Sequence, residues 1–144
     1  MSEMKSNVSI VWNGGIAGNG TIKADYLDTE IAVPISLNGT GKGTDPKELL
    51  ISSAATCYIT TLAAILENRK LSVEELTMNT ITERIDERLK ITHHPHVILS
   101  TDATEKEIQS AERALEGADR VCEVGNLLKK SGVAVDFTGK VSLQ

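Results

Sequence analysis

A chain of 144 residues is most simply a single domain, residues 1–144, large enough to bury a core without disulfide or metal staples. Charged residues make up 24% and the formal net charge is −5, which suits a soluble protein and excludes the basic surface of a nucleic-acid binder. Aromatic residues are only 3%, so packing must rest on Leu, Ile, Val and Ala.

Val8–Trp12 reads as a first strand, followed by a glycine turn at Asn13-Gly14-Gly15. A second glycine turn, Gly18-Asn19-Gly20, leads into the alternating strand Thr21–Tyr26, which Asp28 breaks. Glu30–Ile35 is a third strand, with Pro34 suited to an edge or a strand end. These three form a small antiparallel meander. Leu37–Gly43 is a glycine-spaced loop. It lacks the Gly-Lys-Ser/Thr ending of a P-loop, so a tight approach of the loop to the following helix is preferred over phosphate binding.

Thr44-Asp45-Pro46-Lys47-Glu48 is a helix start. Asp45 fits the N-cap, Pro46 the first helical position, and Glu48 the capping-box position three residues after the cap. The uncharged run Leu49–Leu66 then makes a helix of about twenty residues, roughly 30 Å long. Its Ser and Thr residues at 52, 53, 56, 60 and 61 argue against a membrane span and for a central buried helix. Cys57 lies near its middle, on the face of Leu50.

Leu76–Ile85 alternates with period two and is a strand, and Asp86-Glu87-Arg88 is a charged turn. Leu89–Thr92 and His96–Thr101 form one strand or a broken pair interrupted at Pro95, with the histidines in a polar loop. Thr104–Glu107 is a capping box before Ile108, Ala111, Ala114 and Leu115 at helical spacing, and Gly117 is a natural stop. Asp119 caps a short helix, Arg120–Lys130, and Val133–Val141 closes the chain as one alternating strand. The fold class is therefore α+β, an antiparallel sheet packed on a long central helix.

Two cysteines carry the chemistry to be weighed. A helix N-terminus or a neighbouring cation lowers a thiol pKa. Cys122 falls in a first helical turn beside Arg120, whereas Cys57 sits mid-helix and needs help from elsewhere in the fold. On the residues alone, structural core thiols and reactive thiols both stay open. His93-His94-Pro95-His96 has no further ligand at a convincing spacing for a metal. Ser52, Ser53, Thr60 and Thr61 have no nucleophile-elbow motif, so a hydrolase triad is not expected.

Thr44-Asp45-Pro46-Lys47-Glu48-Leu49-Leu50, with Cys57 eleven residues after the proline in a small-residue helix, resembles the OsmC/Ohr family. The order of elements, the Trp12-x-Gly14 and Gly18-x-Gly20-Thr21 turns, and the late Cys122 before a closing strand extend the resemblance over nearly the whole chain. It implies an OsmC-like fold in an intertwined homodimer, with sites at the subunit interface. It also implies thiol-dependent reduction of organic hydroperoxides. Cys57 would form a sulfenic acid that Cys122 resolves as an intramolecular disulfide, and an external dithiol (a lipoylated protein, thioredoxin or a small thiol) would reduce it. No metal or organic cofactor, nucleic acid or membrane is implied.

The chain departs from the family pattern in lacking an arginine before Arg69 and in carrying Lys47, not a glutamate, directly after Pro46. Glu48 is the candidate replacement that orients or tunes the thiolate, beside its reading as a capping residue. Lys23, Lys42 or Lys47 would supply the missing cation, without arginine's planar fork. Cys122 is followed by Glu123 where relatives often have proline. The rival to the peroxidase is a non-catalytic protein binding a small apolar ligand in the same interface pocket. The N-terminal residues lack an apolar signal region, so the cytoplasm is the expected compartment.

Overall fold

The structure, a computed structural model, describes residues 5–144. Its residues form two compact units, one ending at Leu50 and one running from Ile51 to Gln144.

The first unit holds a three-stranded antiparallel meander of β1 (Ser9–Asn13), β2 (Asn19–Lys23) and β3 (Asp28–Ile31). Trp12 pairs with Gly20, and Lys23 with Asp28, so Asp28 opens the third strand where the sequence reading has it end the second. The backbone beyond β3 is not strand. Ile35–Leu37 forms a 3-10 turn, because Pro34 has no N–H to extend a ladder. The glycine loop packs back on this turn and on β3, not on the helix. A Cβ at Gly39 would overlap the Val33 carbonyl, and one at Gly43 would stand 2.8 Å from the Ile31 carbonyl carbon. Helix α1 (Pro46–Asn68) starts here as the sequence predicts, with the Asp45 Oδ1 accepting from the Glu48 N–H at 2.8 Å.

The second unit is a sheet with helices on one face. The strands β4 (Val73–Ile85) and β5 (Arg88–Leu99) form a long antiparallel hairpin. Asp86 and Glu87 make its two-residue turn, both with positive φ (51° and 63°), the geometry that matches the twist of paired strands. The sheet is mixed rather than antiparallel. The closing segment is two short strands, β6 (Ala134–Phe137) and β7 (Lys140–Leu143), both parallel to β5. A parallel return needs a crossover, and α2 (Glu105–Val121) with α3 (Glu123–Lys130) provides it.

The same arrangement explains Pro95, which leaves β5 unbroken. His93 pairs with Phe137 and His96 with Lys140, so Pro95 falls where the parallel partner changes from β6 to β7 and the ladder lapses. Gly139 fits this change, since a Cβ there would come within 2.9 Å of Pro95 Cγ and of Leu115 Cδ1.

Every second residue of β5 from Ile91 to Leu99 is buried, including His93, so the histidines belong to the sheet and not to a loop. Against this face lie Tyr58, Leu62 and Leu66 of α1, and Ala111, Ala114, Leu115 and Ala118 of α2. Each fully buried leucine contributes about 1.5–3 kcal/mol. Small residues on α2 let the helices approach closely. Gly117 does not stop α2; a Cβ there would lie 3.6 Å from Ile65 Cδ1.

Helix α1 is less enclosed than the sequence reading holds. Its buried residues are the single stripe Ala54, Tyr58, Leu62 and Leu66, at four-residue spacing, while Leu50 is 38% exposed. By length and composition alone it is apolar enough to cross a membrane.

Candidate functional site: two thiols at a helix corner

Cys122 lies outside the helices, between α2 and α3, with extended backbone (φ −64°, ψ 112°); it ends one helix and caps the next. The expectation that Asp119 caps a helix containing Cys122 is therefore wrong. Asp119 lies within α2, whose amphipathic pattern carries the helix on to Val121.

This corner holds the Cys122 side chain in the core, where it is 2% exposed, at the start of α3. Cys57, half-buried beside the Tyr58 stripe, meets that point. The Val124 and Glu123 amides, the Cys122 thiol and the Thr61 hydroxyl, one helical turn along α1, lie near enough to act as donors toward its sulfur. Burial pushes the Cys57 thiol up, but these donors together outweigh it and hold the thiol below its ordinary value. The Cys122 thiol is pushed the other way, up to about 11, by burial first and then by donating to Cys57 and by the charges of Cys57 and Asp119; the Gly125 amide offsets part of this. The surroundings thus favour the thiolate more at Cys57 than at Cys122.

The help that mid-helix Cys57 needs comes from the first amides of another helix, those of Glu123 and Val124. Lys23, one of the expected cations, instead faces Asp28 at 4.0 Å on the surface of the first unit. Glu48 is in the first turn of α1. Its N–H is taken by Asp45, but its carboxylate accepts from the Thr44 hydroxyl and not from the Asp45 N–H, so only half of the expected capping box forms.

Behind the pair, the Tyr58 hydroxyl donates to the Leu115 carbonyl at 2.8 Å. Its ring stacks on His93 with centroids 4.9 Å apart. His93 Nδ1 shares a hydrogen bond of 2.9 Å with Thr80 Oγ1, and its buried Nε2 has no partner among the described residues. His96 Nε2 meets Ser142 Oγ at 2.7 Å. No cluster able to hold a metal ion occurs among the described residues. Thr61 was open to discovery from its four-residue spacing to Cys57; the amides of Glu123 and Val124 left no sequence signal.

Separately, the first unit carries an apolar groove of about 380 Å³ lined by Ile10, Trp12, Ile22, Ile31, Val33 and Leu49 among others.

A family model described as OsmC-like protein matches residues 39–138. The uncharacterized protein YmaD of Bacillus subtilis is 35% identical over 123 residues, 82% of each chain. The crystal structure of an OsmC-like protein from Mycoplasma pneumoniae superposes with a TM-score of 0.75 at 19% identity, covering 98% of this chain and 99% of that one. An organic hydroperoxide resistance protein OsmC from Legionella pneumophila gives 0.68 at 22% identity, over 100% and 99%. The two structures share the fold, and the family match and the Bacillus relative carry the assignment: this chain belongs to the family of OsmC-like proteins.

Proposed function

We propose that the chain is a thiol-dependent peroxidase that reduces organic hydroperoxides through Cys57 and Cys122. The observation that carries this reading is that Cys57 packs against the buried cluster containing Cys122, in surroundings that lower one thiol pKa and raise the other. The Cys57 thiolate attacks the outer peroxide oxygen, the O–O bond breaks, and the alkoxide leaves and takes a proton as alcohol. Cys57 is then a sulfenic acid. Cys122 displaces its hydroxyl as water, forming the Cys57–Cys122 disulfide. An external dithiol reduces the disulfide and is itself oxidised, returning both thiols. A cytoplasmic setting would provide such a reductant. Glu48 enters this scheme on the family resemblance alone, its observed bonds being local ones to Thr44 and Asp45 at the start of α1.

The same reading takes the working unit as an intertwined homodimer, which accounts for an apolar helix that buries only one stripe within its own chain. Light scattering at two protein concentrations checks the dimer.

The chemistry is tested with cumene hydroperoxide and dimedone on wild type, Cys57→Ser and Cys122→Ser. Wild type loses both thiols per equivalent of peroxide. Cys122→Ser accumulates a dimedone adduct at Cys57, and Cys57→Ser is inert. Equal reactivity of Cys57→Ser and wild type would end the proposal.

The groove of the first unit favours a second reading, a non-catalytic protein that binds a small apolar ligand. Thiols that stay free in excess peroxide, with an apolar fluorophore bound and displaced by fatty acid, would favour it.

A further inference from the structure

We infer that Asn126 and Lys129 are positioning residues that hold the start of α3, and with it Cys122, against the Cys57 sulfur; this rests on reading Cys57 as the reacting thiolate.

The last carbonyls of α2 have no partner within their own helix. Two α3 side chains reach back across the Cys122 corner to take them. Asn126 Nδ2 donates to the Arg120 carbonyl at 2.9 Å. Lys129 Nζ donates to the Asp119 carbonyl at 3.5 Å and to the Asp119 carboxylate at 3.1 Å. The Lys129 and Asp119 side chains are only 33% and 24% exposed, so this ion pair is shielded more than a surface one. The clamp spans the one non-helical residue between α2 and α3, Cys122 itself.

The clamp acts with the packing of Gly125 against Cys122 and Val135 to fix the angle between α2 and α3. That angle sets whether the Glu123 and Val124 amides reach Cys57. A hydrogen bond to a charged acceptor falls off steeply with misalignment, so a small rotation of α3 matters more to the thiolate than to the fold. The Cys122 thiol acts on the Cys57 sulfur, and Asp119 acts in turn on Cys122. The clamp thus does in this chain, through backbone amides, what a fixed side-chain cation would do for a thiolate.

The test is the pH dependence of iodoacetamide alkylation at the Cys57 peptide in the reduced full-length protein, with thermal stability measured alongside. Asn126→Ala leaves the net charge unchanged, and Asn126→Ala/Lys129→Met removes the whole clamp. Lys130→Met removes an equal charge one residue on, from a side chain with no bond to α2 among the described residues. Arg69→Ala breaks a comparable side-chain bond, Arg69 Nη1 to the Ser110 carbonyl at 2.7 Å, away from the thiols. The expected result is a rise in the Cys57 midpoint by about one pH unit in the double variant, which is about a tenfold loss of thiolate at pH well below the wild-type midpoint. Asn126→Ala should move in the same direction, while Lys130→Met and Arg69→Ala should stay at the wild-type midpoint. A double variant at the wild-type midpoint overturns the positioning role and leaves the peroxidase reading standing. An ordinary thiol midpoint in wild type overturns both.

Discussion

His93 should make the fold sensitive to mild acid, and the size of the effect follows from its surroundings. The ring is fully buried between Tyr58 and Thr80, with Nδ1 committed to Thr80 and Nε2 unpartnered. Protonation would place a charged N–H at Nε2 with nothing to accept it. Burial accordingly pushes the imidazole below the ordinary histidine value; the Asp119 carboxylate pulls it up, and His94 and Lys129 push it further down. A histidine whose folded pKa is depressed stabilises the protein fully above its unfolded pKa of about 6.5, and that stability is lost as pH falls towards the folded value. If the native ring stays neutral, the unfolded chain's proton alone costs about 1.2 kcal/mol between about pH 7 and about pH 5.5. Urea unfolding of reduced wild type and His93→Gln at those two pH values isolates this contribution, because the carboxylates are common to both. Wild type should lose about 1.2 kcal/mol more than the variant. Equal losses would show that the native site accepts the proton, and the description of Nε2 as an unpartnered buried atom would be wrong.

Other substitutions test the remaining structure. Tyr58→Phe removes a second donor to the Leu115 carbonyl 57 residues away and should cost about 0.5–1.5 kcal/mol in denaturant unfolding, since that carbonyl keeps its own bond within α2. Asp86→Asn/Glu87→Gly suits the positive φ of both turn residues and should raise stability by about 1 kcal/mol with no change in m-value; a loss would refute the assigned turn. Gly39→Ala should sharply lower soluble yield or melting temperature, because the added carbon meets the Val33 backbone rather than a movable side chain. If Cys57 and Cys122 join, they close a loop that constrains the unfolded chain by about 4 kcal/mol, so oxidised protein should need more denaturant than reduced protein.

What the sequence made legible was local. Asp45, Pro46 and Glu48 mark the start of α1, and Thr104 with Glu107 closes the capping box of α2, because caps are written in adjacent residues. The charged turn at residues 86 and 87 was readable for the same reason. Tertiary context decided the rest. Gly117 reads as a helix stop but serves the approach of Ile65, and Pro95 reads as a break but sits at the change of parallel partner. His93 looks like loop polarity, yet strand alternation points it into the core. The sequence picked out Cys57 and Cys122, but not the corner joining them, because the Glu123 and Val124 amides carry no side-chain signature and lie more than sixty residues beyond Cys57.

The most direct test of the two-thiol account is the intact mass of reduced protein after one equivalent of cumene hydroperoxide, followed by mapping of the linked peptides. The account predicts loss of two hydrogen atoms and a single bond between Cys57 and Cys122 in one chain. Unchanged mass with both thiols free, or a bond between Cys57 residues of different chains, would contradict it.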